Sequence, residues 1–326
     1  MSGPRLLSDG DTPKPLMLTE DEVHARLRAR EVTDWVENAF GQIDGGSAVL
    51  PRGRVRFSGG ALHVLGGAVA SYRLVAAKLY TTLFRPDGER RSSMLVTFDT
   101  DTGKCVAIIE SYWLSIMRTA ATTALATRYL AKPTAETLTV IGTGPTALPQ
   151  IEAVAAERPF KRILIHSRTP AHREAFAEEV SRRLPVPAEA IADIGSAISA
   201  ADVVITATDS REPFVHADQL RSGALVNAIG SNYADKRELA PDAIRRAERI
   251  FVDSIDAARV EAGDLILAAA EGALDWNRVE QLGSLVHQGR HSNADHSWFV
   301  FKSVGIGIQD IAVAAGLLGR IEGRRG

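Results

Sequence analysis

The stretch Leu138-Thr139-Val140-Ile141-Gly142-Thr143-Gly144-Pro145-Thr146-Ala147 carries the clearest chemical signal in the chain: an apolar strand, a G-x-G-x-x-A turn and a helix start. Gly142 permits the tight turn, Gly144 lets backbone N–H groups approach a pyrophosphate, and Ala147 lets helix pack closely on strand. The helix N-terminus adds roughly half a positive charge to the same anion site. Pro145 suits a first helical turn, where its missing N–H would have no partner anyway. The motif alone is weak, because ordinary strand-to-helix turns share it. The surrounding βαβ pattern gives it weight, and the chemistry it implies is hydride exchange with a nicotinamide dinucleotide.

The tip of the next strand bears on which dinucleotide. An acidic residue about 20 positions on would accept the ribose 2′-OH of NAD. The chain has Ile165-His166-Ser167-Arg168-Thr169 instead, with no carboxylate. Ser167, Arg168 and Thr169 suit a 2′-phosphate, Arg168 supplying charge and planar donors. A solvated arginine in a loop is the plainer alternative. The expectation is NADP(H) in preference to NAD(H).

Two cations stand in apolar settings: Lys78 in Val75-Ala76-Ala77-Lys78-Leu79-Tyr80, and Arg118 in Trp113-Leu114-Ser115-Ile116-Met117-Arg118-Thr119. Burying an unpaired ammonium is costly, so each needs solvent, a partner or a cavity. Together they would bind a carboxylate, the arginine bidentate and the lysine as a point charge. From spacing alone, a surface-facing cation is the better reading of each.

Other groups offer less. His287, His291 and His296 sit in a Gly- and Asn-containing segment without helical register or a helping cysteine, so they read as solvated loop histidines and no metal site is expected. His63 and His216 have no partner in sequence and read as structural. No G-x-S-x-G elbow supports a serine nucleophile. Trp298-Phe299-Val300-Phe301 reads as core or pocket wall. A formal net charge of -2 gives no electrostatic case for nucleic acid. No apolar run reaches the ~20 residues of a membrane helix. The first residues, Met1 to Leu18, lack an apolar signal core and read as a floppy leader, and Cys105 is the sole cysteine, so a cytoplasmic location is expected.

Two unequal parts must position these residues. After a capped helix start at Thr19 to Glu22, short β-type runs (48–50, 55–57, 61–65, 74–80, 94–98 and 106–109) alternate with Gly, Pro and Asp turns, predicting about six mostly antiparallel strands. A helical block spans 114–130, and Pro133 stops it. Strands at 137–141, 162–166, 202–208, 224–229 and 249–252 then alternate with helices at 145–156, 170–184 and 194–200. That predicts a parallel sheet covered on both faces. The apolar end segment, helical after Gly307, is expected to return to the first part.

Several pieces in this order and spacing resemble the ornithine cyclodeaminase/mu-crystallin family over nearly the whole chain. They are His63-Val64-Leu65-Gly66-Gly67-Ala68, Lys78-Leu79-Tyr80-Thr81-Thr82, Thr102-Gly103, Arg118-Thr119-Ala120-Ala121, Gly142-Thr143-Gly144, Asn227-Ala228-Ile229-Gly230-Ser231-Asn232, Arg237-Glu238-Leu239 and Phe301-Lys302-Ser303-Val304-Gly305. The resemblance implies an α/β fold: a Rossmann dinucleotide-binding domain, placed at 126–299, and an α+β substrate domain made from both chain ends, 1–125 and 300–326, whose sheet meets its mate in a homodimer. It makes Lys78 and Arg118 the carboxylate-binding pair and Arg52 a third cation, with Arg54 and Arg56 close enough to compete.

One departure matters. Cyclodeaminases carry an aspartate, their acid/base, where this chain has Asn232. An amide neither takes nor gives a proton at neutral pH. Asp235, three residues on, is the nearest substitute in sequence. The expected function is therefore NAD(P)H-dependent reduction of a C=N bond beside a carboxylate, in a small α-imino acid, a cyclic ketimine, or a 2-oxo acid with an amine. Lys78 would stabilise or protonate the nitrogen, and Asn232 would accept its N–H. Two alternatives stay open: an ornithine cyclodeaminase with bound NAD+, and a crystallin-like protein that binds NADPH and a small ligand without turnover.

Overall fold

The computed structural model describes residues 14–43, 47–85, 88–289, 291, 292, 294, 296–321 and 323. Residues 1–13 of the expected leader and Pro86 and Asp87 of an expected turn lie outside the described residues, as do Arg290, Asn293 and Asp295 of the histidine segment.

The first part begins with a short strand rather than unstructured leader: β1 (Leu16–Leu18) pairs in parallel with a later strand. Helix α1 (Glu20–Arg26) starts at the predicted capping box. Thr19 Oγ1 accepts from Glu22 N, and the Glu22 carboxylate accepts from Thr19 N at 3.1 Å. Helix α2 (Ala29–Gly41), not expected from the sequence, follows. Strands β2 (Ala48–Phe57), β3 (Gly60–Val69), β4 (Leu74–Arg85), β5 (Gly88–Asp99) and β6 (Cys105–Glu110) form antiparallel neighbours. The sheet order is β1-β6-β5-β4-β3-β2. The expected runs 48–50 and 55–57 are one strand, whose register shifts between Leu50 and Gly53; β1 makes up the six.

Side chains alternate across this sheet, as the pleat requires. His63, Leu65, Ala76, Lys78, Leu95 and Thr97 are buried. Met17, Val55, Phe57, Val75, Leu79 and Phe98 stand exposed at other strand positions.

Helix α3 (Tyr112–Leu130) ends just ahead of Pro133 and runs unbroken through residue 126, so the expected domain boundary there falls inside a helix. The second part follows as β7 (Thr137–Ile141), α4 (Ala147–Ala155), β8 (Arg162–His166), α5 (Pro170–Arg183), β9 (Ala188–Ala190), α6 (Ile194–Ser199), β10 (Val203–Thr206), β11 (Leu225–Ala228), α7 (Pro241–Arg245), β12 (Arg249–Val252), α8 (Ile255–Glu261), α9 (Gly263–Ala270), β13 (Val279–Gln281), α10 (Leu282–His287) and β14 (Phe299–Lys302). All eight strands run parallel, in the order β13-β12-β14-β11-β10-β7-β8-β9. The chain proceeds outward from β7 through β8 to β9, then crosses back to β10 on the other side of β7. This creates a topological switch point at the end of β7, where open α/β sheets bind ligands.

The structure corrects two expectations. Helix α4 begins at Ala147, so Pro145 belongs to the turn, which Ala147 N closes on Gly144 O at 2.9 Å. Strand β14 lies between β11 and β12, so the chain leaves this sheet after Lys302 and not at residue 300. Helix α11 (Gly307–Ile321) then crosses back onto β3, β4 and α2. Its apolar stripe fills the inner face of the first sheet.

Candidate active site

The turn after β7 meets the conditions for a dinucleotide. Gly142 has φ +113°, a conformation L side chains rarely adopt, and an added Cβ would lie 2.5 Å from Ala207 O. A Cβ on Gly144 would meet nothing within 4 Å, leaving room for a phosphate against the backbone. Thr143 and Thr146 complete the turn around that space. Ser167, Arg168 and Thr169 follow β8 directly, with the Arg168 side chain exposed beside the start of α5. A residue not singled out by the sequence joins them: Arg173 donates from Nη1 to Ser167 O at 3.2 Å.

The opposite wall is fixed by a buried acid. Glu238 accepts from Thr206 Oγ1, Thr208 Oγ1 and Thr208 N, each at 2.7 Å, and from Gly230 N at 3.1 Å. It thereby ties the ends of β10 and β11 together. Burial and the neighbouring Asp264 push its carboxyl up. Lys302, fully buried at the end of β14, donates to Ser231 O at 2.8 Å and pairs with Asp264 at 2.8 Å. The segment carrying Asn232 is thus held from below.

Lys78 and Arg118 are both buried and come together, against the surface reading of each. The Lys78 ammonium lies 2.9 Å from Asp310 Oδ1 and donates to Ser115 Oγ. Arg118 donates from Nη1 to Gln309 Oε1 at 2.5 Å, and its Nε lies 3.4 Å from Asp310 Oδ1. Burial pushes Lys78 down to about 8 even though Asp310 pulls the other way. For Asp310 burial alone would raise the carboxyl, but Lys78 and Arg118 outweigh it and hold it low.

Arg52 is buried at the junction between the two parts. Its guanidinium pairs with Glu261 and donates to Val304 O at 3.1 Å and Gly305 O at 3.0 Å. Arg54 reaches the same Glu261 carboxylate at 3.3 Å and donates to Asn232 O at 2.7 Å. Its guanidinium also sits 4.8 Å over the Tyr233 ring. His63 stacks on Tyr80 with ring centroids 4.3 Å apart, which gives it a buried place in this wall. Gly305, at φ +79°, presents its bare Cα to Arg118: an added Cβ would lie 2.3 Å from Nη1. Asp253 holds that loop by accepting from Ser303 Oγ at 2.8 Å and Gly305 N at 2.7 Å.

The turn at Gly142, the Thr206–Thr208 segment, Asn232 and the Gly305 loop all follow the carboxyl ends of parallel strands. Cations of the first sheet and of α3 meet this same edge: Arg54 at Asn232 and Arg52 at Val304 and Gly305, both from β2, and Arg118 from α3 against Gly305. Asp235 does not join them. It is exposed and paired with Arg211, whose hydrogen bond holds its carboxyl low. His287 ends α10 and its Nδ1 contacts Gly41 O at 2.7 Å, while His291 stacks on Tyr129, so neither is a free loop histidine. Asp310 and Glu261 stand in this candidate site, and the sequence did not single them out. A charge in apolar surroundings is the signal that could have found Asp310, which stands in the run Ile306 to Val313.

Known proteins resemble the chain over most of its length. The model of the ornithine cyclodeaminase/mu-crystallin family matches residues 13–324. A Delta(1)-pyrroline-2-carboxylate reductase of Bacillus cereus is 35% identical over 227 residues, covering 68% of this chain and 69% of that protein. The ketimine reductase mu-crystallin of Rattus norvegicus is 28% identical over 316 residues, 92% of this chain and 95% of that protein. The structure of Thermococcus litoralis Delta(1)-pyrroline-2-carboxylate reductase in complex with NADH and L-proline superposes with a TM-score of 0.87 at 26% identity, covering 94% of this chain and 98% of that chain.

Proposed function

The chain belongs to the ornithine cyclodeaminase/mu-crystallin family, and from that premise we propose that it is an NAD(P)H-dependent reductase of small imino acids and cyclic ketimines. The observation that carries the reading is the pair Lys78 and Arg118, buried together with a single carboxylate, Asp310, between them. Two positive charges against one negative leave one positive charge, which matches one substrate carboxylate.

The turn at Gly142, Thr143, Gly144, Pro145, Thr146 and Ala147 would hold the cofactor pyrophosphate, and Ser167, Arg168 and Thr169 the adenosine ribose, with NADP(H) preferred over NAD(H). When bound, the nicotinamide supplies the hydride. Lys78 and Arg118 hold the carboxylate and so orient the adjacent C=N carbon. For a neutral imine that carbon gains the hydride and the nitrogen gains a proton. An ammonium pushed down to about 8 is a competent donor near neutral pH. Once the nitrogen is protonated, Asn232 accepts from its N–H without removing the proton, which favours reduction over cyclodeamination. Arg52, already engaged by Glu261, steadies the Gly305 loop beside Arg118 and reaches the substrate only if that ion pair opens.

The exposed apolar face of the first sheet, with Val55, Phe57, Val75 and Leu79, suits burial against a second copy in a homodimer. Among the described residues no helix is long and apolar enough to cross a membrane, and a cytoplasmic setting suits the single cysteine. NADPH oxidation across Δ1-pyrroline-2-carboxylate, Δ1-piperideine-2-carboxylate, iminosuccinate and pyruvate with ammonia tests the function. Oxidation with at least one of these imines, yielding the amino acid, is expected. NADPH binding without oxidation across the whole panel, or ammonia release from ornithine without net cofactor consumption, would contradict it.

A further inference from the structure

Asp310 differs from the buried carboxylates Asp253, Asp264 and Glu238 around the cleft and, like Glu261, is paired with two cations. Asp253 and Asp264 accept backbone N–H groups, Gly305 N in one case and Glu238 N in the other. Glu238 caps the ends of two strands. These acids hold the fold's own backbone together. Asp310 is fully buried in the first turn of α11, its Oδ1 faces Lys78 and Arg118, and its Oδ2 has no hydrogen-bond partner among the described residues. A buried ion without compensation is expensive, so this carboxylate is tolerated through the two cations and the positive end of the helix.

We propose that Asp310 is a positioning residue for the reaction, holding the Lys78 ammonium and the Arg118 guanidinium in one fixed relation so that together they present a preformed site for the substrate carboxylate. This rests on the clamp reading given above. The fixing is two-sided: Ser115 and Asp310 hold the ammonium, while Gln309, next to Asp310 on the same helix, holds Arg118. Asp310 also governs the charge of Lys78. The charged groups acting on that ammonium are Asp310 from α11, Arg118 from α3 and Arg52 from β2, and of these only Asp310 favours the protonated form; the Tyr80 ring, 5.8 Å from Nζ, adds a weaker attraction. Without it, burial and two neighbouring cations would drive the lysine toward the neutral amine at neutral pH. The clamp would then lose a charge as well as its geometry.

The test compares Asp310→Asn, Asp310→Glu and the wild type in kcat/KM for an imine substrate from about pH 6 to about pH 10, alongside NADPH affinity from fluorescence. In Asp310→Asn the decline of kcat/KM with rising pH is expected to begin about one unit or more lower, with activity at neutral pH down by about 10²-fold and NADPH affinity unchanged. Asp310→Glu keeps the charge but displaces it, so it should keep the wild-type pH dependence and lose about tenfold in kcat/KM, mostly through KM. An unshifted pH profile in a folded Asp310→Asn protein would overturn the proposal. So would wild-type kcat/KM in Asp310→Glu, which stands as a test even if the asparagine variant does not fold. Lys78→Ala and Arg118→Ala separate the two levels: full activity in both removes the clamp reading itself, whereas loss in both with normal Asp310 variants removes only the role of Asp310.

Discussion

The dinucleotide turn is one unbroken stretch, Gly142 to Ala147, between a strand and the helix that follows it. The proposed carboxylate clamp is gathered from far apart: Lys78 and Asp310 meet across 232 residues, and Arg118 and Gln309 across 191. The turn depends on local backbone geometry, a positive φ and a bare Cα. The clamp depends on the chain's return from the parallel sheet to the first sheet, since Gln309 and Asp310 arrive only with α11. On these proposed roles, cofactor holding and substrate holding are mechanically separate, and they share one cleft because both meet at the carboxyl ends of the parallel strands. Different variants should break one and spare the other.

The largest effects should come from the clamp. Lys78→Ala or Arg118→Ala should lower kcat/KM for an imine substrate on the order of 10²–10³-fold, because each leaves Asp310 incompletely paired and the carboxylate poorly held. NADPH titration by fluorescence should give the wild-type affinity in both. Next, Gly142→Ala should weaken NADPH binding by about 1–3 kcal/mol, or about 5- to 150-fold, since the new Cβ runs into the Ala207 backbone. The substrate KM at saturating NADPH should change little. A substrate-side loss as large as the cofactor loss would erase the distinction between the two regions.

A smaller effect sharpens the identity of the cofactor. Arg168→Asp should lower the ratio of NADPH to NADH turnover by about tenfold, the worth of one charge-assisted hydrogen bond. An unchanged ratio would remove Arg168 from the ribose site. The pH dependence is milder still. Lys78 is charged below about pH 8 and neutral above it. Thus kcat/KM should be level at neutral pH and fall as pH rises through about 8, while NADPH affinity stays flat over that step. Leu79→Asp on the exposed sheet face should shift the oligomer toward monomer in sedimentation while leaving the inward-facing Lys78 contacts intact.

The same contrast explains what is legible in the sequence. Strands β7, β8 and β12 have the predicted bounds because their apolar runs end at glycine, serine or aspartate. The turn is readable because its meaning is local. Lys78 and Arg118 stand out as charges in apolar surroundings, yet spacing cannot show that they face each other, and the family resemblance supplies that pairing. Asp310 and Glu261 escape notice because their partners lie at the other end of the chain. Strand β1 reads as leader because so short a strand has little pattern of its own and is held by β6. Strand β14 is split by the expected boundary at residue 300 because the return crossover comes after it, at residues 303–306.

The most direct test measures both holdings in the same two variants. NADPH affinity and imine KM are determined in parallel for Gly142→Ala and Arg118→Ala. A crossed result is expected: weaker NADPH binding with near-normal substrate KM in the first, and normal NADPH binding with a raised KM and depressed kcat/KM in the second. Equal loss of both functions in both variants, with each protein folded, would contradict it.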